Sequence, residues 1–133
     1  MIVDTSAWVE YLRATGNPTH RVLRAAVESG TPIATPAPVL MELLAGCANE
    51  QAASDVQRLL ARFEILEVEG VVDFEDAALI HRACRRAGDT VRSLMDCQIA
   101  AIALRERRPL LTVDRDFEVM AKHVGLVLAT EQP

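Results

Sequence analysis

The chain alternates between short runs of consecutive apolar residues and longer segments in which apolar residues return every three or four positions. The short runs are typical of buried strands, whereas the longer spacing places apolar side chains on one face of a helix. The predicted strands are 1–4, 32–35, 63–68, 110–113 and 125–128. The predicted helices are 6–13, 18–29, 36–46, 50–62, 73–88, 93–107 and 115–123. Strands separated by helices predict an α/β fold, in which helices cover both faces of a parallel central sheet.

The segment 93–107 is the most apolar of the predicted helices. Its apolar residues point in nearly every direction around the helix axis, which predicts a central helix buried on all sides. Pro109 ends this helix before the next strand. The acidic side chain of Asp96, in the first turn, therefore stands out against its surroundings.

Length and composition favour one globular domain that spans residues 1–133. Half of the 133 residues are apolar and a quarter are charged, as in ordinary folded domains. No apolar run approaches the roughly 18 residues of a membrane-spanning helix, and Asp4 interrupts any resemblance to a signal peptide. The three cysteines lack the spacing of a zinc site, so we expect free thiols and a cytoplasmic location.

The net charge of −5, from 14 basic and 19 acidic residues, argues against a nucleic-acid partner, because phosphate binding favours a positive surface. Cations held by carboxylates would reverse the local sign of the charge. All basic residues except Lys122 are arginines, whose planar guanidinium groups suit phosphates and bases. An arginine-rich coding sequence would explain that bias equally well, so the overall charge leaves a nucleic-acid partner open.

Four acidic residues are predicted to meet at one edge of the sheet. Asp4 and Asp114 each follow a predicted strand, and the carboxyl ends of parallel strands form the edge where such proteins bind ligands. Asp96 begins the buried helix, and Glu42 lies mid-helix beside small residues that leave room around its carboxylate. Carboxylates that converge raise one another's pKa unless a cation lies between them. Oxygen ligands without cysteine or histidine favour Mg²⁺ or Mn²⁺.

Other interpretations of the same acids remain open. Asp4, Asp96 and Asp114 lie where acids cap helices, and Glu42 alone would be an exposed surface residue; the chain would then be a binding-only α/β module. A receiver-like module also clusters acids around Mg²⁺, but it needs a lysine at the end of a late strand, whereas Lys122 falls in a predicted helix.

If the acids hold metal, the sequence favours hydrolysis of a phosphodiester. Two ions about 3.5–4 Å apart position an attacking hydroxide and stabilise the departing oxygen at phosphorus. This chemistry needs no serine or cysteine nucleophile. The glycine patterns of serine hydrolases, P-loop NTPases and dinucleotide-binding proteins are absent from the sequence.

Four segments carry these acids in order along the chain. They are IVDTSAW at 2–8, MELLAG at 41–46, RSLMDCQIA at 92–100 and LTVDRDF at 111–117. Together they resemble the PIN-domain ribonucleases, in particular the VapC-type toxins of bacterial toxin–antitoxin pairs, over nearly the whole chain. The resemblance implies a PIN-like three-layer sandwich.

The resemblance also implies individual roles. The metal-binding acids that it implies are Asp4, Glu42, Asp96, Asp114 and, as a more variable fifth, Asp116. The first four of these would be catalytic. Thr5, Ser6 and Thr112 would support the site, although hydroxyls that satisfy backbone groups at strand–helix turns explain them equally well. Arg92 would contact RNA or pair with a nearby acid.

The function implied is that of a Mg²⁺- or Mn²⁺-dependent endoribonuclease toxin, which cleaves structured cellular RNA such as tRNA or ribosomal RNA. The resemblance further implies a homodimer and a small antitoxin protein whose tail covers the acidic site. A cationic tail would compete with metal for the same carboxylates.

Overall fold

Four short parallel strands lie at the centre of the structure, a computed structural model that describes residues 1–130. The strands are β1 (Ile2–Val3), β2 (Ala34–Pro36), β3 (Glu64–Leu66) and β4 (Leu110–Leu111). They form one sheet in the order β3-β2-β1-β4, and each neighbouring pair is parallel. Because Ile2 is paired with Leu110, the residues that follow β1 and β4 leave the sheet side by side.

Helices separate the strands, as the hydrophobic pattern predicts. They are α1 (Thr5–Leu12), α2 (Pro18–Ser29), α3 (Ala37–Ala45), α4 (Glu50–Leu60), α5 (Gly70–Arg86), α6 (Leu94–Glu106) and α7 (Arg115–His123). Asn49 caps α4 by accepting a hydrogen bond from the Ala52 N–H at 2.9 Å, and Gly30 ends α2 with a φ of 72°. The predicted α/β class, a parallel sheet with helices on both faces, is confirmed. Within residues 1–130, no helix combines the length and apolar character needed to cross a bilayer.

The predicted bounds of several elements differ from those of the structure by one or two residues, and two differences are larger. Residues 125–128 form only an isolated bridge between Leu110 and Leu128 in the described chain, because the Leu126 N–H turns back to the Val124 carbonyl at 2.7 Å. Helix α5 begins at Gly70 instead of residue 73. Its first turn is stabilised by a hydrogen bond from the Glu69 N–H to the Asp73 carboxylate, which sequence periodicity does not reveal.

Helix α6 is the central buried helix that its composition predicts. Ile99, Ala100 and Ile102 are inaccessible to solvent, and Ala101 and Ala103 are nearly so. The small alanine side chains let neighbouring elements pack closely around the helix. The position of α6 in the core is therefore set by packing on several sides.

A buried ion pair fixes the carboxyl end of α6 against the start of α5. Arg105 donates from Nε and Nη2 to the two carboxylate oxygens of Asp73, each at 3.0 Å, and from Nη2 to the Glu67 carbonyl at 3.0 Å. Asp73 is fully buried. The two helices are antiparallel neighbours, and this contact anchors the end of α6 opposite the one that carries Asp96.

Candidate active site

Asp4 lies directly after β1 and is buried, with only 3% of its surface exposed. Its Oδ2 accepts hydrogen bonds from the hydroxyls of Ser6 at 2.7 Å and Thr112 at 2.9 Å, and from the Ser6 N–H at 3.3 Å. Burial raises the pKa of Asp4 above its ordinary value, although the Ser6 and Thr112 hydroxyls oppose the shift. Asp4 therefore caps α1 and also presents a carboxyl group at the edge of the sheet.

The hydroxyl of Thr112 links the ends of the two neighbouring strands. It bonds Asp4, lies 3.1 Å from the Ser6 hydroxyl, and accepts a hydrogen bond from the Asp114 N–H at 3.0 Å. The Ser6 hydroxyl also accepts a hydrogen bond from the Val113 N–H at 3.1 Å. These hydroxyls thus do two things at once: they satisfy backbone groups and they fix the orientation of the Asp4 carboxyl.

Asp114 and Asp116 lie at the start of α7. Asp114 caps the helix, because its Oδ1 accepts a hydrogen bond from the Asp116 N–H at 2.9 Å. Asp116 is in the first turn and is partly buried. Both acids are placed by the turn that connects β4 to α7.

Glu42 enters the site from α3. Its Oε1 accepts a hydrogen bond from the Thr5 hydroxyl at 2.9 Å, at the beginning of α1. Glu42 is half-buried, so it is not the freely exposed surface residue that a lone glutamate would be. Thr5 holds it toward the edge of the sheet where Asp4 lies.

The electrostatic interactions of these acids converge on Asp96. Burial, together with the charges of the other acids, raises the pKa of Asp96 to about 7. The contributing acids are, in decreasing order of effect, Asp4, Asp114, Glu42 and Asp116. Four acids from three other segments of the chain are therefore close enough to repel the carboxylate of Asp96.

Capping accounts for only part of this arrangement. Ser93 accepts a hydrogen bond from the Asp96 N–H at 3.2 Å, as a capping box requires. The reciprocal bond is not formed: within residues 1–130, the Asp96 carboxylate accepts no hydrogen bond. Asp4 and Asp114 do cap helices, but a capping role does not explain why their charges meet at Asp96.

The oxygen atoms that could act as metal ligands at this site suit a hard divalent cation. The side chains at the site offer only carboxylate and hydroxyl oxygens, the ligands that Mg²⁺ and Mn²⁺ prefer. Within residues 1–130, however, no group of three or more His, Cys, Asp or Glu side chains is already arranged to hold a metal ion. Asp4, Glu42 and Asp114 bond hydroxyl or N–H groups instead. Each of these bonds goes to one oxygen of its carboxylate, so the second oxygen remains for a cation, which would relieve the repulsion at Asp96.

Arg92 lies immediately before the cap of α6 and is exposed. It forms no ion pair with any residue in 1–130. Pairing with a nearby acid, one of the two roles considered for it, is therefore not seen in the described residues. Contact with RNA stays a prediction.

Sequence analysis missed Asp73 as the residue that positions α6. A signal was available, because Asp73 lies on the same helical face as Ala77, Ile80 and Cys84, all of which are buried. A single acid on an apolar face needs a buried partner. Its partner, Arg105, is distant in sequence and could not be identified from the spacing alone.

Comparison with known proteins connects this geometry to a family. A model of the PIN domain matches residues 1–123. The chain is 42% identical over 131 residues to VapC ribonuclease Mb1587 of Mycobacterium bovis, with 98% of each chain covered. The identity and coverage are the same for Ribonuclease VapC11 of Mycobacterium tuberculosis.

Solved structures share the fold. VapBC2 from Rickettsia felis, bound to a promoter DNA fragment, has a TM-score of 0.76 at 21% identity, with 96% of each chain covered. FitAcB from Neisseria gonorrhoeae has a TM-score of 0.71 at 21% identity, covering 98% of this chain and 96% of that one. VapC20 of Mycobacterium tuberculosis, described as a sarcin–ricin loop cleaving toxin, has a TM-score of 0.66 at 23% identity, covering 94% and 97%.

Proposed function

The chain belongs to the PIN-domain family, within its VapC group, and on that premise we propose that it is a metal-dependent endoribonuclease toxin. The catalytic acids of the proposal are Asp4, Glu42, Asp96 and Asp114, with Asp116 as a further metal ligand. The observation that carries it is the convergence of four other carboxylates on Asp96. The 42% identity to VapC ribonucleases over nearly the full length supports the same activity.

The acids would hold one or two divalent cations at the edge of the sheet. When bound, Mg²⁺ or Mn²⁺ lowers the pKa of a water molecule to supply hydroxide and stabilises negative charge on the reacting phosphodiester. Ser6 and Thr112 fix the Asp4 carboxyl so that little reorientation is needed on binding. Thr5 does the same for Glu42. These hydroxyl contacts support the proposed role of Thr5, Ser6 and Thr112.

The substrate of the proposal is structured cellular RNA, such as tRNA or ribosomal RNA. The structural relative VapC20 is described as a sarcin–ricin loop cleaving toxin, which makes structured RNA loops the first substrates to test. We place the activity in one domain of residues 1–133, in the cytoplasm, where three free thiols are stable.

The partners of the proposal are a second copy of the chain and a small antitoxin. Several of the solved relatives are toxin–antitoxin complexes. A groove of about 450 Å³ opens beside Thr5 and Glu42, with apolar side chains such as Val9, Leu12 and Leu43 in its wall. An antitoxin segment with apolar side chains and a cationic end would fit both the groove and the neighbouring acids.

Cleavage of bulk tRNA and ribosomal RNA by the purified chain tests the proposal. We expect cleavage with Mn²⁺, none with EDTA, and recovery when Mn²⁺ is added in excess, because the acids alone supply no nucleophile. Mapping the 5′ and 3′ ends of the products separates internal cleavage from trimming.

Two variants with the same change of charge test the site, one inside it and one on α5 as the control. Asp114→Asn should lose at least 100-fold in rate, whereas Asp76→Asn, an equal change of charge on α5, should cleave like the unsubstituted chain. Cleavage that persists in EDTA would contradict the metal assignment. Absence of cleavage with either metal would favour the binding-only alternative, in which the acids only cap helices.

A further inference from the structure

Four exposed arginines stand at the end of α5 and in the loop that leads into α6. They are Arg82, Arg85, Arg86 and Arg92, and together they are called the arginine ridge. None of them forms an ion pair with any residue in 1–130. In contrast, four other arginines within residues 1–130 each form an ion pair with a carboxylate. They are Arg24, Arg58, Arg105 and Arg108.

The ridge is a local concentration of positive charge in a chain whose net charge is −5. The segment 77–95 contains a single acid, Asp89. Its Oδ2 lies 2.7 Å from the Nε2 of His123 on α7, so it is engaged away from the arginines. No carboxylate within residues 1–130 therefore forms an ion pair with the ridge.

Helix electrostatics explain only part of the cluster. Arg85 and Arg86 occupy the last turn of α5, where basic residues interact favourably with the helix dipole. That effect falls off within one turn, so it does not account for Arg82, and Arg92 lies outside the helix altogether. The ridge thus extends beyond what stabilisation of α5 requires.

The packing of α5 against α6 places the ridge beside the acidic site. The two helices are antiparallel: Asp73 meets Arg105 at one end, and near the other end Cys84 is close enough to Cys97 to influence its pKa. The last turns of α5 therefore lie level with the first turn of α6, which carries Asp96.

The ridge is beside the acids but does not touch them. The three ridge arginines on α5 lie on its exposed side, away from the buried Ile80 and Cys84. They are Arg82, Arg85 and Arg86. Typical spacings between packed helices place their guanidinium groups on the order of 15 Å from the acids. At that distance they reach phosphates a few nucleotides from the bond that is cut.

We propose that the arginine ridge binds backbone phosphates of the RNA substrate on one side of the cleavage site. The inference rests on the proposed ribonuclease function and deepens it. The acidic site by itself repels RNA, so a polyanionic substrate needs a fixed positive surface nearby. Guanidinium groups bind phosphate through paired hydrogen bonds. The four ridge arginines form no ion pair within residues 1–130, so no such pair has to break before they bind phosphate. RNA phosphates are therefore held by the ridge while the acids act on the neighbouring bond.

Binding of fluorescently labelled bulk tRNA in EDTA, where no cleavage occurs, tests the ridge directly. The test variant is Arg82→Gln/Arg85→Gln/Arg86→Gln, which leaves Arg92 and the acids unchanged. Three phosphate contacts fewer should weaken binding at least tenfold at moderate salt and reduce the slope of log Kd against log salt by about 2. The variant with lysine at the same three positions should keep most of the slope, because lysine retains the charge.

The control removes three arginines elsewhere and so has the same net charge. Arg24→Gln/Arg58→Gln/Arg62→Gln, on exposed parts of α2 and the end of α4, should keep the unsubstituted affinity and slope. Equal behaviour of the two Gln variants, or no salt-dependent binding by the unsubstituted chain, would overturn the proposal. So would a ridge variant that binds tRNA normally but loses affinity for polyglutamate, which would assign the ridge to an acidic protein partner.

Cleavage with Mn²⁺ separates this inference from the proposed function. If the unsubstituted chain cleaves RNA and the ridge variant shows a raised KM with little change in kcat, both stand. If the ridge variant cleaves with an unchanged KM, the ridge assignment fails while the ribonuclease function stands. If the unsubstituted chain cleaves no RNA, the proposed function fails, and with it the assignment of the ridge to a substrate.

Discussion

At the scale of single residues, Asp96 experiences the strongest electrostatic effect in the site. Burial and four neighbouring carboxylates raise its pKa to about 7. Its side chain accepts no hydrogen bond within residues 1–130, whereas Asp4 and Asp114 are both satisfied by neighbouring donors. Asp96 is therefore the carboxyl group with the most to gain from a bound cation.

Replacing Asp96 by Asn separates catalysis from stability. We expect RNA cleavage in Mn²⁺ to fall by at least 100-fold, because a metal ligand is lost. In EDTA at pH 8 we expect the free energy of unfolding to rise by about 1–2 kcal/mol, because the amide is not repelled by the other acids. Denaturant unfolding and a gel cleavage assay measure the two effects. Asp76→Asn is the control, and a variant as active as the unsubstituted chain would remove Asp96 from the mechanism.

At the scale of secondary-structure elements, the site depends on how strand ends and helix ends are joined. Thr112 connects the residues after β1 and β4, and Thr5 connects α1 to α3. The ion pair of Asp73 and Arg105 fixes the other end of α6. Small polar contacts at element ends therefore position acids that the elements themselves only bring near one another.

The ion pair between α5 and α6 should make stability depend on pH. Burial alone would raise the pKa of Asp73, but the hydrogen bonds and charge of Arg105 and the Glu69 N–H outweigh it and lower the pKa below 3.8. The contribution of Asp73 is therefore present above the ordinary pKa of an aspartate and is lost as the pH falls through the lowered pKa of the folded state. Asp73→Asn should reduce the free energy of unfolding by about 3 kcal/mol at pH 7, since Arg105 is left without its buried partner.

Denaturant unfolding between pH 7 and pH 2.5 measures this effect. The difference between Asp73→Asn and the unsubstituted chain should shrink below about pH 4, where the aspartate of the unfolded chain becomes protonated, and should be lost as the pH falls through the lowered pKa of the folded state. Asp55→Asn breaks the exposed pair with Arg58 and should cost at most about 1 kcal/mol at any pH. A difference for Asp73→Asn that is as small as the control, or constant down to pH 2.5, would contradict the assigned role.

At the scale of the whole molecule, segments far apart in sequence bring like charges to one edge of the sheet. The residues that meet come from the ends of β1 and β4, from α3 and from the start of α6. Because the native state gathers these charges and the unfolded chain disperses them, a cation that bridges them binds the native state preferentially.

Metal should therefore stabilise the folded chain. Mn²⁺ at about 100 times its Kd should add about 2.7 kcal/mol to the free energy of unfolding, which corresponds to a rise in Tm on the order of 10 °C for a chain of this size. Thermal unfolding followed by circular dichroism, with and without Mn²⁺ after treatment with EDTA, measures it. Asp96→Asn should show a much smaller rise. An unchanged Tm at saturating Mn²⁺ would count against a shared metal site.

The sequence by itself determined the order and type of the main elements, because apolar spacing reports directly on which faces are buried. It located α7 to the residue and identified α6 as the buried helix. The four acid-bearing segments also follow from the sequence, since each acid lies next to an element boundary or beside small residues. The sequence pattern wrongly predicted a strand at 125–128, where the structure forms only an isolated bridge. A regular strand depends on hydrogen bonds with a neighbouring strand as well as on the local apolar pattern.

Only the tertiary structure decided how the acids interact. Spacing could not show whether Asp4 and Asp114 only cap helices, because in the folded chain both side chains cap a helix and also act on the charge of Asp96. The partners of Thr112 and Arg105 lie 108 and 32 residues away, and the isolation of the arginine ridge from every carboxylate in residues 1–130 is likewise a property of packing. Hydrogen bonds and Coulomb interactions act over a few ångströms in space, and local sequence pattern carries little information on distances between remote segments.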